Sequence, residues 1–201
     1  MTARPADDAL VDHLLVLRAQ LGARDAYARL VDRHHARLRF YLRRLVGPST
    51  EAEDICQEVW LIVVRKLGTL ENPEAFRTWL YRVARHHAIS WLRKRRIEIP
   101  LDEAGPAAEA GVNDADDPPG FDPEEAAAMY AALETLSRNH REMLTLRFLS
   151  GLTYEEIARV LECPVGTVRS RIHYAKAALR AVLLDRAGRD TANTPTKGGL
   201  P

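Results

Sequence analysis

A predicted helix near the C-terminus separates an apolar stripe from a polar and basic face. With about 3.6 residues per turn, one side of the segment after Pro164 holds Val168, Ile172, Ala175 and Leu179. The other side and its flanks carry Thr167, Arg169, Ser170, Arg171, His173 and Lys176. Arginine can donate two hydrogen bonds to guanine, and serine or histidine can bond base edges or phosphates. These residue types predict contact with the major groove of duplex DNA; the alternative is the solvated face of an ordinary helical bundle.

The residues before this helix favour the DNA interpretation. Thr153 and Glu156 have the spacing of a capping box, which predicts the start of a short helix with Ile157 and Leu161 on its buried side. Pro164 suits the first turn of the next helix, where a backbone N–H is not needed. Two short helices joined by a tight corner form a helix-turn-helix. This context makes a merely solvated basic face the weaker interpretation.

Another helix, predicted from about Ala75 to Arg96, interleaves basic and aromatic side chains. Its members are Arg77, Arg82, Arg85, Arg93, Lys94, Arg95 and Arg96, with Trp79, Tyr81 and Trp91. Cations bind phosphates and aromatic faces stack on unpaired bases, so this composition indicates binding to melted DNA. In the alternative interpretation, the tryptophans anchor the core and the terminal basic run stabilises the helix through its dipole. We favour the core interpretation for Trp79.

The predicted helix at residues 50–66 carries an acidic face within an otherwise basic region. That face consists of Asp54, Gln57, Glu58 and Leu61, which follow each other at steps of three and four residues. An acidic face does not favour DNA, whereas it suits a basic protein surface because complementary charge sets orientation and encounter rate. The alternative is an ordinary solvated face.

Both regions are predicted to be helical, which makes the fold all-α. Apolar residues recur at helical spacing from Tyr27 to Leu45, and Gly47 ends the pattern. Further helices are expected near residues 124–136 and 139–149. No alternating strand pattern of useful length appears in the sequence.

An acidic segment separates the two small helical domains. Residues 98–125 hold ten acidic residues and no Lys or Arg, whereas the rest of the chain has 29 basic residues against 18 acidic ones. The segment is rich in Pro, Gly and Ala without apolar periodicity, which predicts a flexible linker. The expected organisation is an N-terminal extension at 1–23, a first domain at 24–97, this linker at 98–125, a second domain at 126–184 and a disordered tail at 185–201.

Several function classes lack the residues they require. The sequence has no apolar run of about eighteen residues and no secretory signal, which predicts a cytoplasmic protein without membrane insertion. Cys56 and Cys163 lack disulfide or zinc-site spacing, and the histidine pairs at 34–35 and 86–87 lack the spacing of helical zinc ligands. Without a phosphate loop or a nucleophile motif, we predict no metal, no cofactor and no catalytic residue.

Three ordered motifs resemble the extracytoplasmic-function (ECF) group of bacterial RNA polymerase sigma factors, in the sigma-70 family. They are STEAEDICQEVWLIVV, FRTWLYRVARHHAISWLRKRR and LTYEEIARVLECPVGTVRSRIHYAKAALR, and the resemblance covers about residues 24–97 and 126–184. Members of the group keep only the second and fourth sigma domains. The resemblance implies a transcription initiation factor, not an enzyme, that directs core polymerase to promoters in the cytoplasm and joins the nucleoid within the holoenzyme.

The resemblance also implies a role for each surface. The helix with Asp54, Gln57, Glu58 and Leu61 would dock on the clamp helices of the largest polymerase subunit, and the beta flap is a further contact on core polymerase. The helix from Phe76 to Arg96, with the loop at 68–74, would open the minus-10 element and capture a flipped base. Its expected contacts are Trp79, Arg82, Arg85, His86, Trp91, Arg93, Arg95 and Arg96. The duplex minus-35 element would be read by Thr167, Arg169, Ser170, Arg171, His173 and Lys176.

Two further expectations concern partners and base preference. The acidic linker would thread the polymerase cleft, and an anti-sigma factor that wedges between the domains is a partner that the family often uses. Where relatives typically have Ala-Arg-Asn, this chain has Ala84-Arg85-His86, and the frequent downstream Asp is Ser90. This departure bears on the minus-10 preference, whereas the resemblance to the family does not depend on it.

Two other functions remain as alternatives. A stand-alone helix-turn-helix regulator would explain residues 151–180 and leave the acidic face and the aromatic-basic helix unexplained. An adaptor or enzyme that uses the histidine pairs is the third candidate, and it lacks catalytic geometry.

Overall fold

Two helical domains make up the described part of the chain. The computed structural model describes residues 5–47, 50–98 and 123–192, with side chains described within 8–47, 50–95 and 127–186. The α-helices of these ranges are α1 (Pro5–Gln20), α2 (Arg24–Val46), α3 (Thr50–Lys66), α4 (Phe76–Glu98), α5 (Pro123–Glu134), α6 (Arg138–Leu144), α7 (Tyr154–Leu161) and α8 (Val165–Ala192). Short 3-10 turns span Leu67–Thr69 and Pro73–Ala75, and a π-helical turn spans Thr145–Leu149. Within these ranges the regular structure is entirely helical, which confirms the predicted all-α fold.

Helix α2 is the centre of the first domain, which comprises α1 to α4. The predicted apolar repeat is its buried face, which includes Leu30, His34, Leu38, Tyr41 and Leu45. Gly47 ends α2 with a φ of 106°, a conformation in which an L side chain would be strained, and its N–H donates to the carbonyl of Arg43 at 2.9 Å. Helices α1 and α3 pack on either side of α2, and the apolar face of α4 closes the core.

Helix α1 lies in the region for which the sequence pattern predicted only an extension. Asp12, 4% exposed, accepts a hydrogen bond from Nε of Arg33 at 2.8 Å and lies 3.0 Å from Nε2 of His34. Near the end of α1, Nε2 of Gln20 donates to the carbonyl of Leu67 at 2.9 Å. Polar anchors therefore hold this helix in the first domain together with a few buried apolar residues, and a search for apolar repeats does not detect them.

The second domain contains the predicted helix-turn-helix in α7 and α8. Thr153 Oγ1 accepts from the N–H of Glu156 at 3.1 Å, and the Glu156 carboxylate accepts from the N–H of Thr153 at 2.7 Å, so the predicted capping box is formed. Glu162 ends α7 in the left-handed region with a φ of 53°. Val168 and Ile172 of α8, at 0% and 1% exposure, then lie in the core as predicted.

Helix α8 extends eight residues into the segment that was predicted to be a disordered tail from residue 185. It continues to Ala192, and the guanidinium of Arg186 donates through Nη2 to the carbonyl of Ala131 in α5 at 2.9 Å. This contact ties Arg186 to α5, and the helix continues beyond the position at which the sequence analysis placed the start of the tail. The remaining tail, at 193–201, and most of the predicted linker, at 99–122, lie outside the described residues.

The two domains contact each other directly through α2 and α4 on one side and α6, α7 and the π-helical turn on the other. The rings of Phe40 and Tyr130 are 5.2 Å apart across this contact, and the buried residues of both domains form one continuous cluster.

Candidate nucleic-acid and protein interfaces

The polar face of α8 is open to solvent at the start of the helix. Val168, Ile172 and Ala175 are buried beneath it, whereas Arg169 and His173 on the other side are exposed. Ser170 and Arg171 are also exposed, and Thr167 is half-buried. The hydroxyl of Ser170 donates to the carbonyl of Thr167 at 3.0 Å, which orients it along the helix surface. The start of α8 therefore presents two guanidinium groups and an imidazole to solvent, and these groups can bond base edges or phosphates.

Lys176 differs from the rest of this predicted set because it borders an apolar groove. The groove has a volume of about 490 Å³ and lies between α5, the π-helical turn and the C-terminal half of α8. Phe148 and Leu184 in its lining are 57% and 63% exposed.

Tyr174, which the sequence analysis did not select, is 64% exposed beside His173. Its place next to His173, within the stretch that carries the basic face, would have been the signal.

The acidic face of α3 is also fully presented to solvent. Asp54, Gln57 and Glu58 are exposed, and Leu61 is 54% exposed one turn further on. Val64, 57% exposed, extends the same face, and the analysis missed it although it follows Leu61 at a step of three residues. A surface with carboxylates at one end and uncovered apolar side chains at the other suits a protein partner better than a polyanion.

Part of the α4 set lines a polar cleft between α3 and α4. The cleft has a volume of about 480 Å³, and His86, Ser90 and Trp91 line one wall, opposite the carboxylates of α3. The ring of His87 reaches across to Glu58, with Nδ1 and Oε2 3.7 Å apart. The predicted docking face and the predicted minus-10 face are therefore two sides of one groove rather than remote surfaces.

The remainder of the α4 set lies elsewhere. Arg82 and Arg85 face the second domain, where their Nε atoms are 3.6 Å and 2.9 Å from carboxylate oxygens of Glu162 and Glu142. Trp79 is half-buried and packs against Phe76, with ring centroids 6.3 Å apart. The partial burial of Trp79 agrees with the core interpretation. The structure thus divides the predicted residues between an open cleft and a closed contact.

The C-terminal basic run of α4 projects from the first domain. Arg93, Lys94 and Arg95 are exposed, and the guanidinium carbon of Arg95 lies 5.1 Å from the centre of the Trp91 ring, in a cation–π contact. The helix continues to Glu98, while the side chain of Arg96 lies outside the described residues. Stacking on Trp91 holds one cation of the run at the mouth of the cleft.

Metal and thiol chemistry gain no support from these surfaces. Across the described ranges, no group of three or more His, Cys, Asp and Glu side chains could hold a metal ion. Burial, the largest influence on the Cys56 thiol, raises its pKa to about 12, which keeps it protonated and unreactive at neutral pH. No helix within the described residues is long and apolar enough to span a bilayer.

Comparisons with known proteins cover both domains. The family models for sigma-70 region 2 and sigma-70 region 4 match residues 30–97 and 126–179. RNA polymerase sigma-H factor of Pseudomonas aeruginosa is 36% identical over 86% of this chain and 93% of its own length. The ECF RNA polymerase sigma-E factor of Escherichia coli K12 is 35% identical over 85% of this chain and 93% of its own length.

A solved structure agrees with these sequence matches. It is the sigma factor RpoE of Bartonella quintana, in complex with the anti-sigma factor NepR, which is similar with a TM-score of 0.66 and 26% identity over 78% of this chain and 96% of that one. Family models on both domains, relatives above 30% identity along nearly their whole length and the shared fold lead to one conclusion: the chain belongs to the sigma-70 family, in its ECF group.

Proposed function

We propose that, in this transcription initiation factor, α3 docks on core polymerase, α4 opens the minus-10 element and α8 reads the minus-35 element. As a sigma factor, the chain directs RNA polymerase to promoters and is not an enzyme. The observation that carries the proposal is the segregation of charge: an exposed acidic face on α3, and exposed basic faces on α4 and α8. Each surface has the charge sign that its proposed partner requires.

Docking on core polymerase is proposed for Asp54, Gln57, Glu58 and Leu61, with Val64 added to the face. Charged groups at the edge of an interface mainly set encounter rate and orientation, whereas uncovered apolar groups supply buried area. Leu61 and Val64, each more than half exposed, provide that apolar part. The clamp helices of the largest subunit are the proposed site.

Opening of the minus-10 element is proposed for the cleft between α3 and α4. His86, Trp91 and Lys94 line the cleft, and the guanidinium of Arg95 packs over the ring of Trp91. An aromatic wall can stack on a flipped base while the nearby cations hold the backbone phosphates. His86 replaces the asparagine that relatives typically have, so the base preference is expected to differ from theirs.

Contact with a further protein is proposed for the apolar groove of the second domain. Its lining is apolar apart from Lys176 and Arg180 at one side, which suits an amphipathic helix bearing acidic residues. The beta flap of core polymerase would occupy it in the holoenzyme, and an anti-sigma factor would compete for the chain, since the solved relative RpoE is bound to one. Membership of the family implies that the protein acts in the cytoplasm. Its association with the nucleoid, as part of the holoenzyme, belongs to this proposal.

Run-off transcription with core polymerase, with and without the chain, tests the proposed function. The templates are the genomic regions upstream of the chain's own gene and its neighbours. A discrete start site that depends on the chain is the expected result. Specific binding to palindromic duplex sites without any polymerase-dependent start would support a stand-alone regulator instead.

Charge reversal on α3 tests the docking assignment. Asp54→Arg or Glu58→Arg is expected to weaken association with core polymerase about tenfold, because rim charges act on encounter and orientation. Asp32→Arg, at an exposed carboxylate of α2, is the matched control. Equal association by all three variants, measured by fluorescence anisotropy with labelled chain, would remove the docking claim.

A further inference from the structure

Tyr174 is a large exposed side chain on α8 that the proposed minus-35 contacts leave unused. It is 64% exposed, and within the described ranges its hydroxyl has no hydrogen-bond partner. The ring meets that of His173 edge-on, with centroids 5.7 Å apart and planes at 78°. Since an edge-on contact of this kind restricts the ring, Tyr174 is held in one region of the helix surface without belonging to the core.

This residue lies near the middle of the face that points away from the core. Tyr174 follows the buried Ile172 by two residues, so the two side chains leave the helix about 160° apart. Gly166 and Ser170 precede Tyr174 at steps of four residues, and both are exposed. A Cβ at Gly166 would meet nothing within 4 Å. The middle of this face is therefore lined by small residues at the start of α8, and Tyr174 is the bulky group that follows them.

Tyr174 and Arg169 lie close enough along the helix to enter one groove. Tyr174 follows Arg169 by five residues, which is about 7.5 Å along the helix axis. The major groove of B-DNA is about 12 Å wide. A helix that places its first turns in this groove therefore brings the ring of Tyr174 to base edges next to those that Arg169 reaches.

The phenol ring differs in chemistry from the other side chains of this face. Arg169, Ser170 and His173 offer hydrogen bonds, whereas the ring of Tyr174 offers mainly apolar surface. In the major groove, the apolar group of a base edge is the C5-methyl of thymine, which the other three bases lack. Contact between the ring and this methyl removes apolar surface of both from water. Thymine is therefore the base that the ring favours.

We propose that Tyr174 is a specificity-determining residue of the minus-35 reader, with its ring packed on the C5-methyl of a thymine and held there by the ring of His173. The inference rests on the proposed function of α8 and adds the base that this side chain selects. Arg169 and Tyr174 then divide the element between them, because the guanidinium reads hydrogen-bond acceptors and the phenol ring reads a methyl group.

Replacement of thymine by deoxyuridine tests the contact, because it removes only the C5-methyl. The minus-35 element that holoenzyme with the parent chain prefers is selected from a promoter library, and each thymine of its duplex is then replaced singly. Competition against a labelled promoter gives the affinity of holoenzyme formed with the parent chain, Tyr174→Ala or Tyr174→Phe. We expect one replacement to weaken binding with the parent chain about fourfold, the effect of one lost buried methyl group. Tyr174→Phe keeps this loss, since the ring remains, whereas Tyr174→Ala binds the thymine and deoxyuridine duplexes equally.

An equal loss on deoxyuridine with the parent chain and with Tyr174→Ala would overturn the proposal, as would a preferred element without thymine. A uniform weakening by Tyr174→Ala on every promoter would also overturn it and would indicate contact with phosphate or polymerase instead. If circular dichroism shows that Tyr174→Ala has lost helix, Tyr174→Gln, which also lacks the ring, takes its place. Chain-dependent run-off transcription that persists alongside a refuting result separates failure of this contact from failure of the proposed function.

Discussion

Arg169 is proposed to read a base, and its side chain is exposed at the first turns of α8 beside the buried Val168. Arg169→Ala is expected to cost about 1–3 kcal/mol at the preferred minus-35 base and to relax the preference at that position. Holoenzyme formed with the variant and challenged with a promoter library measures both effects.

The control for this prediction is Arg29→Ala, which removes the same charge at an exposed position of α2 in the first domain. A lost phosphate contact would weaken all sequences almost equally, whereas a lost base contact changes their ranking. If the ranking with Arg169→Ala matches that with Arg29→Ala, α8 is not oriented in the groove as proposed.

At the scale of the helix, the corner before α8 depends on the cap of α7. Thr153→Ala removes the acceptor for the N–H of Glu156 and is expected to lower the free energy of unfolding by about 1 kcal/mol. Thr153→Ser keeps a hydroxyl at the same place and is expected to stay within about 0.5 kcal/mol of the parent chain. Urea unfolding followed by circular dichroism compares the three chains, and a similar loss in both variants would show that the hydroxyl cap is not the cause.

Asp12 of helix α1 makes a pH-dependent contribution to the free energy of unfolding. Burial alone raises the pKa of Asp12, but the hydrogen bonds and charges of His34 and Arg33 outweigh burial and lower it below its ordinary 3.8. The carboxylate therefore stabilises the fold above pH 3.8, and this contribution is lost as the pH falls from there through the lowered pKa. Asp12→Asn is expected to lower the free energy of unfolding by about 2 kcal/mol at neutral pH. The difference in stability between the variant and the parent chain is expected to become smaller in acid.

The matched control for Asp12 is Asp25→Asn. Asp25 accepts from Arg18 at the same 2.8 Å, but both side chains are more than half exposed, so the expected cost is below about 0.5 kcal/mol. Urea unfolding measured from neutral pH down to about pH 3 gives the free energy of unfolding of each variant as a function of pH. A cost for Asp12→Asn that does not change with pH would place its origin in packing rather than in charge.

Helices with regular apolar spacing and clear caps were predictable from the sequence, whereas polar anchors were not. The stripe from Tyr27 to Leu45 and the Thr153 capping box are local patterns, and the structure contains both. Asp12 bonds to Arg33, 21 residues away, and no local pattern marks that pair. The candidate surfaces were predicted from residue type and spacing. Val64 and Tyr174 were missed because the search for polar faces passed over apolar and aromatic residues beside them, although Val64 follows Leu61 at helical spacing.

The contact between Glu142 and Tyr41 is a property of the whole molecule, since 101 residues separate the two along the chain. Charge counting predicted an acidic linker between two domains and gave no prediction of how those domains pack. In the structure, Glu142 and Glu162 of the second domain lie opposite arginines of α4, and Phe40 packs on Tyr130 in the same contact. A count of net charge does not predict this arrangement, whereas local charge complementarity and apolar packing account for it.

This interface predicts that the two domains remain associated after the linker is cut. A protease site inserted between residues 105 and 115 allows cleavage of the purified full chain outside the described helices. The Glu142 contacts and the Phe40–Tyr130 packing should keep the halves together on size-exclusion chromatography at about 0.1 M salt, and the ionic part should weaken toward about 1 M. Separate elution of the halves at low salt would mean that the contact depends on the linker. The cleaved Glu142→Gln chain is the comparison, and its halves are expected to separate at lower salt than those of the parent chain.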